Sequence, residues 1–267
     1  MYEFSYHKPA SVADAVKLLA ADPEARPVSG GMTLLPALKL RLSKPTALVD
    51  LSGIAELRGV KREGETIVIG ALTKHYEVAT SAAIKAAIPA LAAMAATIGD
   101  TQVRNRGTMG GSIANNDPSA DYPAALLALG ATIQTDRRKM SADDFFQGMF
   151  ATALEPDELI VAIRFACPRR AAYAKFAHPA SGYAMTGVFV AEFDDEIRVA
   201  VTGAGPGVFR WREAENALRA RPEAATLDGL TMPADGLNAD LHAPAAYRAS
   251  LVRLMTQQAV AGLAGPV

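Results

Sequence analysis

The chain has 267 residues, half of them apolar and about a fifth charged, with a formal net charge of −1. That length can bury a sizeable core, in one large domain or two modest ones. Near-neutrality excludes a broad electrostatic attraction to nucleic acid or to an anionic membrane.

Residues 11–21 read as a first helix. Ser11 can cap it, and Val12, Ala15, Val16 and Leu19 fall at helical spacing. RPVSGG reads as a short strand entering a turn. Thr33 is the expected N-cap of LLPALKLRL, in which Leu34, Leu35, Leu38 and Leu42 make one apolar face. Pro36 falls in the first turn, where a missing N–H does little harm. TALVDLS is a buried-strand candidate between Pro45 and Gly53, so the first fifty-odd residues read as β-α-β material. TIVIGAL is β-rich without clean alternation, which suggests burial on both faces. Residues 75–97 read as helical with a break near Pro89, residues 120–129 as another helix, ATIQT as a strand, and EPDELIVAIRF as a turn into a strand. After Pro168 three strand-like runs follow: YAKFA, GYAMTGVFVAEFD and EIRVAVTGAGP. The last two are joined by a short turn at Asp194-Asp195-Glu196. Two helical segments close the chain, at roughly 210–220 and 244–261. In the second, Tyr247, Leu251, Leu254 and Met255 share a face. A small antiparallel sheet backed by helices is expected beyond a boundary near residue 169.

Chemistry-bearing residues are sparse. Cys167 is the single cysteine, so an internal disulfide and a cysteine-ligated iron–sulfur cluster are both excluded. It reads as a structural thiol at the end of a strand. His7, His75, His178 and His242 lie far apart, without metal-ligand spacing. The basic cluster Arg137-Arg138-Lys139 reads as a solvated turn. Arg104 and Arg106 can meet a phosphate or a partner, or pair within the chain. No nucleophile–base constellation stands out. The N-terminal stretch lacks a basic start with an apolar run. The longest apolar run, Ala86 to Ile98, is too short for a bilayer and holds Pro89. A cytoplasmic protein without a membrane span is expected.

Two double-glycine stretches stand out, SGGMTLLPALKL (Ser29 to Leu40) and GTMGGSIANNDPSADYPAALLAL (Gly107 to Leu129). Glycine allows positive φ and lets a ligand approach the backbone. A glycine pair ahead of a helix also offers unpaired N–H groups at the positive end of the helix dipole. Two such loops, each followed by a small hydroxyl residue (Thr33, Ser112), can grip the two phosphates of one pyrophosphate; ordinary turns use the same residues. Neither stretch is the G-x-G-x-x-G fingerprint or a P-loop, so a Rossmann domain and a P-loop hydrolase are poor readings.

With ADDFFQGMFATALEPDELI and KFAHPASGYAMTGVFVA added, these stretches resemble the FAD-binding medium subunit of the molybdenum hydroxylases, the group of aerobic carbon monoxide dehydrogenase and xanthine dehydrogenase. The resemblance runs over nearly the whole chain. It implies an α+β fold: a two-lobed FAD-binding domain of the vanillyl-alcohol oxidase type (1–169, lobes about 1–53 and 54–169). A C-terminal domain (170–267) follows, with a three-stranded antiparallel sheet and helices. It also implies noncovalent FAD, with molybdopterin and 2Fe–2S clusters only on partner subunits. The partners would be a large molybdopterin-binding chain and a small iron–sulfur chain, in a dimer of heterotrimers. Such a chain is an oxidoreductase subunit that does not act on substrate alone.

By the same resemblance, Ser29, Gly30, Gly31, Met32 and Thr33 form the first FAD pyrophosphate loop, and Thr108, Met109, Gly110, Gly111 and Ser112 the second. Asp121 hydrogen-bonds the sugar region, with Asn115 and Asp117 close enough to contribute. Lys175 reaches the flavin side, and Tyr183 covers a face of the isoalloxazine ring. Met32, Ser112 and His178 depart from the residues related chains often carry. They leave open a second reading, an assembly subunit with a degraded flavin site. No catalytic residue and no metal ligand is expected on this chain.

Overall fold

A computed structural model describes residues 1–263; the last four residues of the expected C-terminal domain lie outside that range. The chain opens with strand β1 (Ser5–His7), helix α1 (Val12–Ala21), β2 (Arg26–Val28), α2 (Leu34–Lys39) and β3 (Ala47–Asp50). The strands form a parallel sheet in the order β1-β3-β2, with Tyr6 opposite Leu48 and Pro27 opposite Val49. This is the β-α-β start read from the sequence. The Ser11 hydroxyl caps α1 by accepting from the Asp14 amide at 3.1 Å. Ala15, Leu19, Val49, Ile54 and Leu57 are the small core of this lobe. Helix α2 is shorter than expected. Thr33 makes no side-chain cap, the helix ends at Lys39, and Arg41 turns left-handed at φ 59°. Leu42 is therefore thrown off the apolar face and stands 78% exposed.

The second lobe begins with β4 (Val60–Glu63) and β5 (Thr66–Gly70). Short helices follow: α3 (His75–Thr80), α4 (Ala82–Ala87), α5 (Pro89–Ala96), α6 (Thr101–Arg106), α7 (Met109–Asn115) and α8 (Tyr122–Ala128). The helical stretch breaks twice, because Ser81 caps α4 and Pro89 starts α5. Then come β6 (Thr132–Thr135), β7 (Lys139–Ser141), α9 (Ala142–Phe145), the hairpin β8 (Phe146–Gly148) and β9 (Ala151–Thr152), and β10 (Ile160–Ala166). Five strands pair antiparallel in the order β4-β5-β10-β6-β7. Ile67, Ile69, Ile133, Ile163 and Phe165 face α5 and α8 across the main core. Asn116, in the left-handed conformation at φ 44°, ends α7. Its buried side-chain amide donates to the carbonyls of Gly148 and Ala151, both at 2.8 Å, and fixes the β8–β9 hairpin to that end.

The last sheet holds β11 (Arg170–Ala177), β12 (Ala184–Glu192), β13 (Ile197–Thr202) and a two-residue edge strand β14 (Phe209–Arg210), all antiparallel. The fourth strand extends the expected three. Helices α10 (Arg212–Ala220) and α11 (Ala245–Gly262) back it. Side chains alternate along a strand, and β12 uses both faces. Phe189 and Ala191 enter the main core, while Val188 and Val190 enter a second core with Trp211 and Val252. The buried stripe of α11 runs through Arg248, Val252, Met255 and Ala259. Tyr247 and Leu254 are 44% and 45% exposed, so the expected shared face holds only for Leu251 and Met255. Among the described residues no helix is long and apolar enough to cross a membrane.

Candidate functional site

A cleft of about 880 Å³ runs between the lobes to the loop that joins β11 and β12, within the range of small-molecule and cofactor sites (about 300–1,000 Å³). Ser29, Gly30, Gly31, Met32, Thr33, Thr108, Gly110, Gly111, Ser112, Asn115, Asp117, Asp121 and Tyr183 all line it. Lys175 does not, nor does Met109, which is buried in the main core.

The glycines are where they are because the two loops touch. A Cβ on Gly30 would overlap the Arg106 carbonyl oxygen at the entry to the second loop. A Cβ on Gly111 would lie 2.5 Å from the Ser29 hydroxyl and 2.9 Å from that of Thr108. One on Gly110 would press on Ala71 at 2.6 Å. Gly31 also needs positive φ, at 71°. The Thr108 hydroxyl donates to Ser29 Oγ at 3.1 Å and joins the loops directly.

Yet the loops differ in what they offer. Among the described residues, the amides of Gly30, Gly31, Met32, Thr33 and Leu34 donate to no protein acceptor. The second loop spends its amides internally. Met109 N donates to Thr73 O at 3.0 Å, Gly110 N to Ala71 O at 2.9 Å, and Gly111 N to the capping Thr108 Oγ1 at 3.1 Å. Its glycines lie inside the first turn of α7 rather than ahead of it. The sequence reading of two equivalent sets of free N–H groups is thus corrected: one loop presents donors, and the other is the floor against which they are held.

Asp121 lines the cleft and is 4% exposed. Lys175 Nζ reaches its Oδ1 at 3.0 Å, and Tyr173 OH donates to the same oxygen at 2.5 Å. Burial pushes the Asp121 carboxyl above its ordinary range, while Lys175 and Tyr173 pull it back. Lys175 also donates to the carbonyls of Gly182 (3.1 Å) and Thr97 (3.3 Å). It sits behind Asp121 and the Tyr183 loop and bolts them together. Tyr183, 47% exposed, stands at the mouth. His178 contacts His242 instead of the cleft, ring nitrogen to ring nitrogen at 3.3 Å.

Part of the lining is apolar, with Leu57, Leu72, Leu154, Leu159 and Ile160. Sequence reasoning missed it, because leucines in a cofactor wall and leucines in a core carry the same signal. It missed Glu158 too. That residue lines the cleft and is gripped by Arg138 at 2.8 Å and by the Thr135 hydroxyl at 2.7 Å. The Arg138 hydrogen bond foremost lowers the Glu158 carboxyl to about 2. The basic cluster is the expected exposed turn, between β6 and β7, and two of its members are also paired: Arg137 with Asp157 as Arg138 with Glu158. Arg104 is likewise used within the chain, on the carbonyls of Ile98 and Gly99. His75 was also overlooked. It lines the cleft 5% exposed, its Nδ1 without a partner among the described residues, and burial lowers its imidazole to about 4.

Two lobes meeting over a glycine floor, closed by a tyrosine from a separate sheet, define an α+β protein built to hold an extended, phosphate-containing cofactor. The profile described as the FAD binding domain in molybdopterin dehydrogenase matches residues 2–167, and the chain belongs to that family. It is 36% identical over 276 residues to the carbon monoxide dehydrogenase medium chain of Hydrogenophaga pseudoflava, covering 96% of each. It is 32% identical over 273 residues to the nicotine 6-hydroxylase medium subunit of Paenarthrobacter nicotinovorans, covering 96% of this chain and 95% of that one. The solved carbon monoxide dehydrogenase of Hydrogenophaga pseudoflava superposes with a TM-score of 0.90 at 36% identity, over 98% of this chain and 97% of that one. The protein is an FAD-binding medium subunit of the molybdenum hydroxylase family, and so a subunit of an oxidoreductase.

The residues present fit FAD. Free amides over a floor where every Cβ would collide suit a diphosphate, and a buried carboxylate suits hydroxyl or N–H donors. The apolar part of the lining suits an aromatic ring.

Proposed function

We propose that this chain is the flavin relay of a molybdenum hydroxylase complex. It takes electrons from 2Fe–2S clusters on a small partner subunit, supplied in turn by molybdopterin on a large one. It passes them to an external acceptor such as a quinone, dioxygen or a nicotinamide. The assembly would be a dimer of heterotrimers in the cytoplasm. Relatives named as medium chains and medium subunits support the reading. So does the single cysteine, which leaves iron–sulfur ligation to other chains.

Bound FAD supplies a ring that accepts electrons singly and yields them in pairs. The chain's own part is to bind and orient. The Gly30–Leu34 amides are the donors available to the diphosphate, and Asp121 is an acceptor in the same cleft. Tyr183, 47% exposed, is the aromatic side chain available to cover the bound ring. The observation that carries the proposal is the row of unused amides above the glycine floor.

Titration of the purified chain with FAD should show one equivalent bound, with quenched flavin fluorescence. In complex with an iron–sulfur partner, the flavin absorbance should bleach on reduction of the clusters. A chain that takes up no FAD yet still co-purifies with both partners would establish the assembly-subunit reading instead.

A further inference from the structure

Tyr173 and Lys175 stand two residues apart on β11, so their side chains leave the strand on one face. Both end on Oδ1 of Asp121. Its other oxygen, Oδ2, has no side-chain donor among the described residues, and Asp121 lines the cleft. Space for this arrangement is reserved across the sheet. Tyr173 and Phe189 are paired in register, and Gly187 stands two residues from Phe189 along β12. A Cβ on Gly187 would overlap the Tyr173 hydroxyl. A glycine in the middle of a strand is otherwise a cost, and here it leaves room for one oxygen atom.

We propose that Tyr173 is a positioning residue for the cofactor: its hydroxyl, with Lys175, occupies one oxygen of Asp121 and turns the other toward the cleft as a hydrogen-bond acceptor. The proposal rests on the FAD reading above. A phenol at neutral pH donates and keeps its proton; with both donors on Oδ1, a proton added to Asp121 goes to Oδ2, so Oδ2 accepts from the cleft only while Asp121 is ionised. The groups facing the carboxylate are Lys175 and Tyr173 from β11, Tyr122 from α8 and Tyr183 from the β11–β12 loop, with Asp117 acting in turn on Tyr183. Lys175 is the one cation among these groups, and Tyr173 is the neutral donor that touches the carboxylate. Burial drives Asp121 toward its protonated form and the two donors oppose it. Removing the hydroxyl therefore raises the pH at which the acceptor is lost.

The test is FAD affinity of the apoprotein between pH 5 and 9, followed by flavin fluorescence, for wild type, Tyr173→Phe, Lys175→Gln and Asp121→Asn. Wild type should hold its affinity to lower pH than Tyr173→Phe. At the acid end the variant should bind about tenfold more weakly, the effect of a midpoint moved by about one pH unit, and the two curves should meet at alkaline pH. Lys175→Gln should shift the same way and further, and Asp121→Asn should flatten the profile. A Tyr173→Phe profile superimposable on wild type, or weakened equally at every pH, overturns the proposal; the second outcome would mark a packing role. If Tyr173→Phe does not fold, an unshifted Lys175→Gln profile overturns it in its place. Failure of wild type to bind FAD at any pH would sink the function itself, a distinct result.

Discussion

The two glycine loops look alike in sequence and are opposite in use. The first leaves five consecutive amides without a protein acceptor. The second has already given its amides to Ala71, Thr73 and Thr108. The difference shows that a glycine pair has two separate jobs. One is to bare the backbone to a ligand, and the other is to let two backbones come close enough to make a floor. The cleft needs both, and neither loop does both.

Three substitutions probe that division. The largest effect is expected for Gly30→Ala, whose Cβ meets a carbonyl oxygen of the main chain and has no side chain to push aside. FAD affinity should fall at least a hundredfold. Stability should drop by about 1–3 kcal/mol, the usual cost of overpacking, as read by titration and by chemical denaturation. An intermediate effect is expected for Thr108→Val. It removes the cap on Gly111 N and the bond to Ser29, so stability should fall by about 1 kcal/mol. Affinity should fall less than tenfold. Lost binding at unchanged stability would reverse the assignment and make the second loop the donor. The smallest effect is expected for Met32→Ala. Its side chain is 38% exposed and its contribution is the amide, which alanine keeps. A change in FAD affinity beyond about threefold would show that the side chain takes part.

Local features were legible in the sequence. The Ser11 cap, the Pro89 break, the β-α-β opening and the antiparallel final sheet all follow from signals a few residues long. The lining of the cleft was legible too, because glycine pairs, Asp121 and Tyr183 form a recognisable series. What escaped depends on distant partners. The amides of Met109 and Gly110 are consumed by carbonyls more than thirty residues upstream. Lys175 reads as a free cation until three acceptors from separate segments surround it. The pairing of Arg138 with Glu158 needs β6, β7 and the turn before β10 assembled. Leu42 fails for a local reason: the left-handed turn at Arg41 stops the helix before its periodicity runs out.

The partners of Asp121 come from β11, some fifty residues later in the chain, and that strand is backed by α11, later still. Chains emerge from the ribosome N-terminus first. A nascent polypeptide therefore displays both bends while this carboxylate has nothing to lean on, and its hydrogen-bonding support is complete only once β11 has emerged and docked.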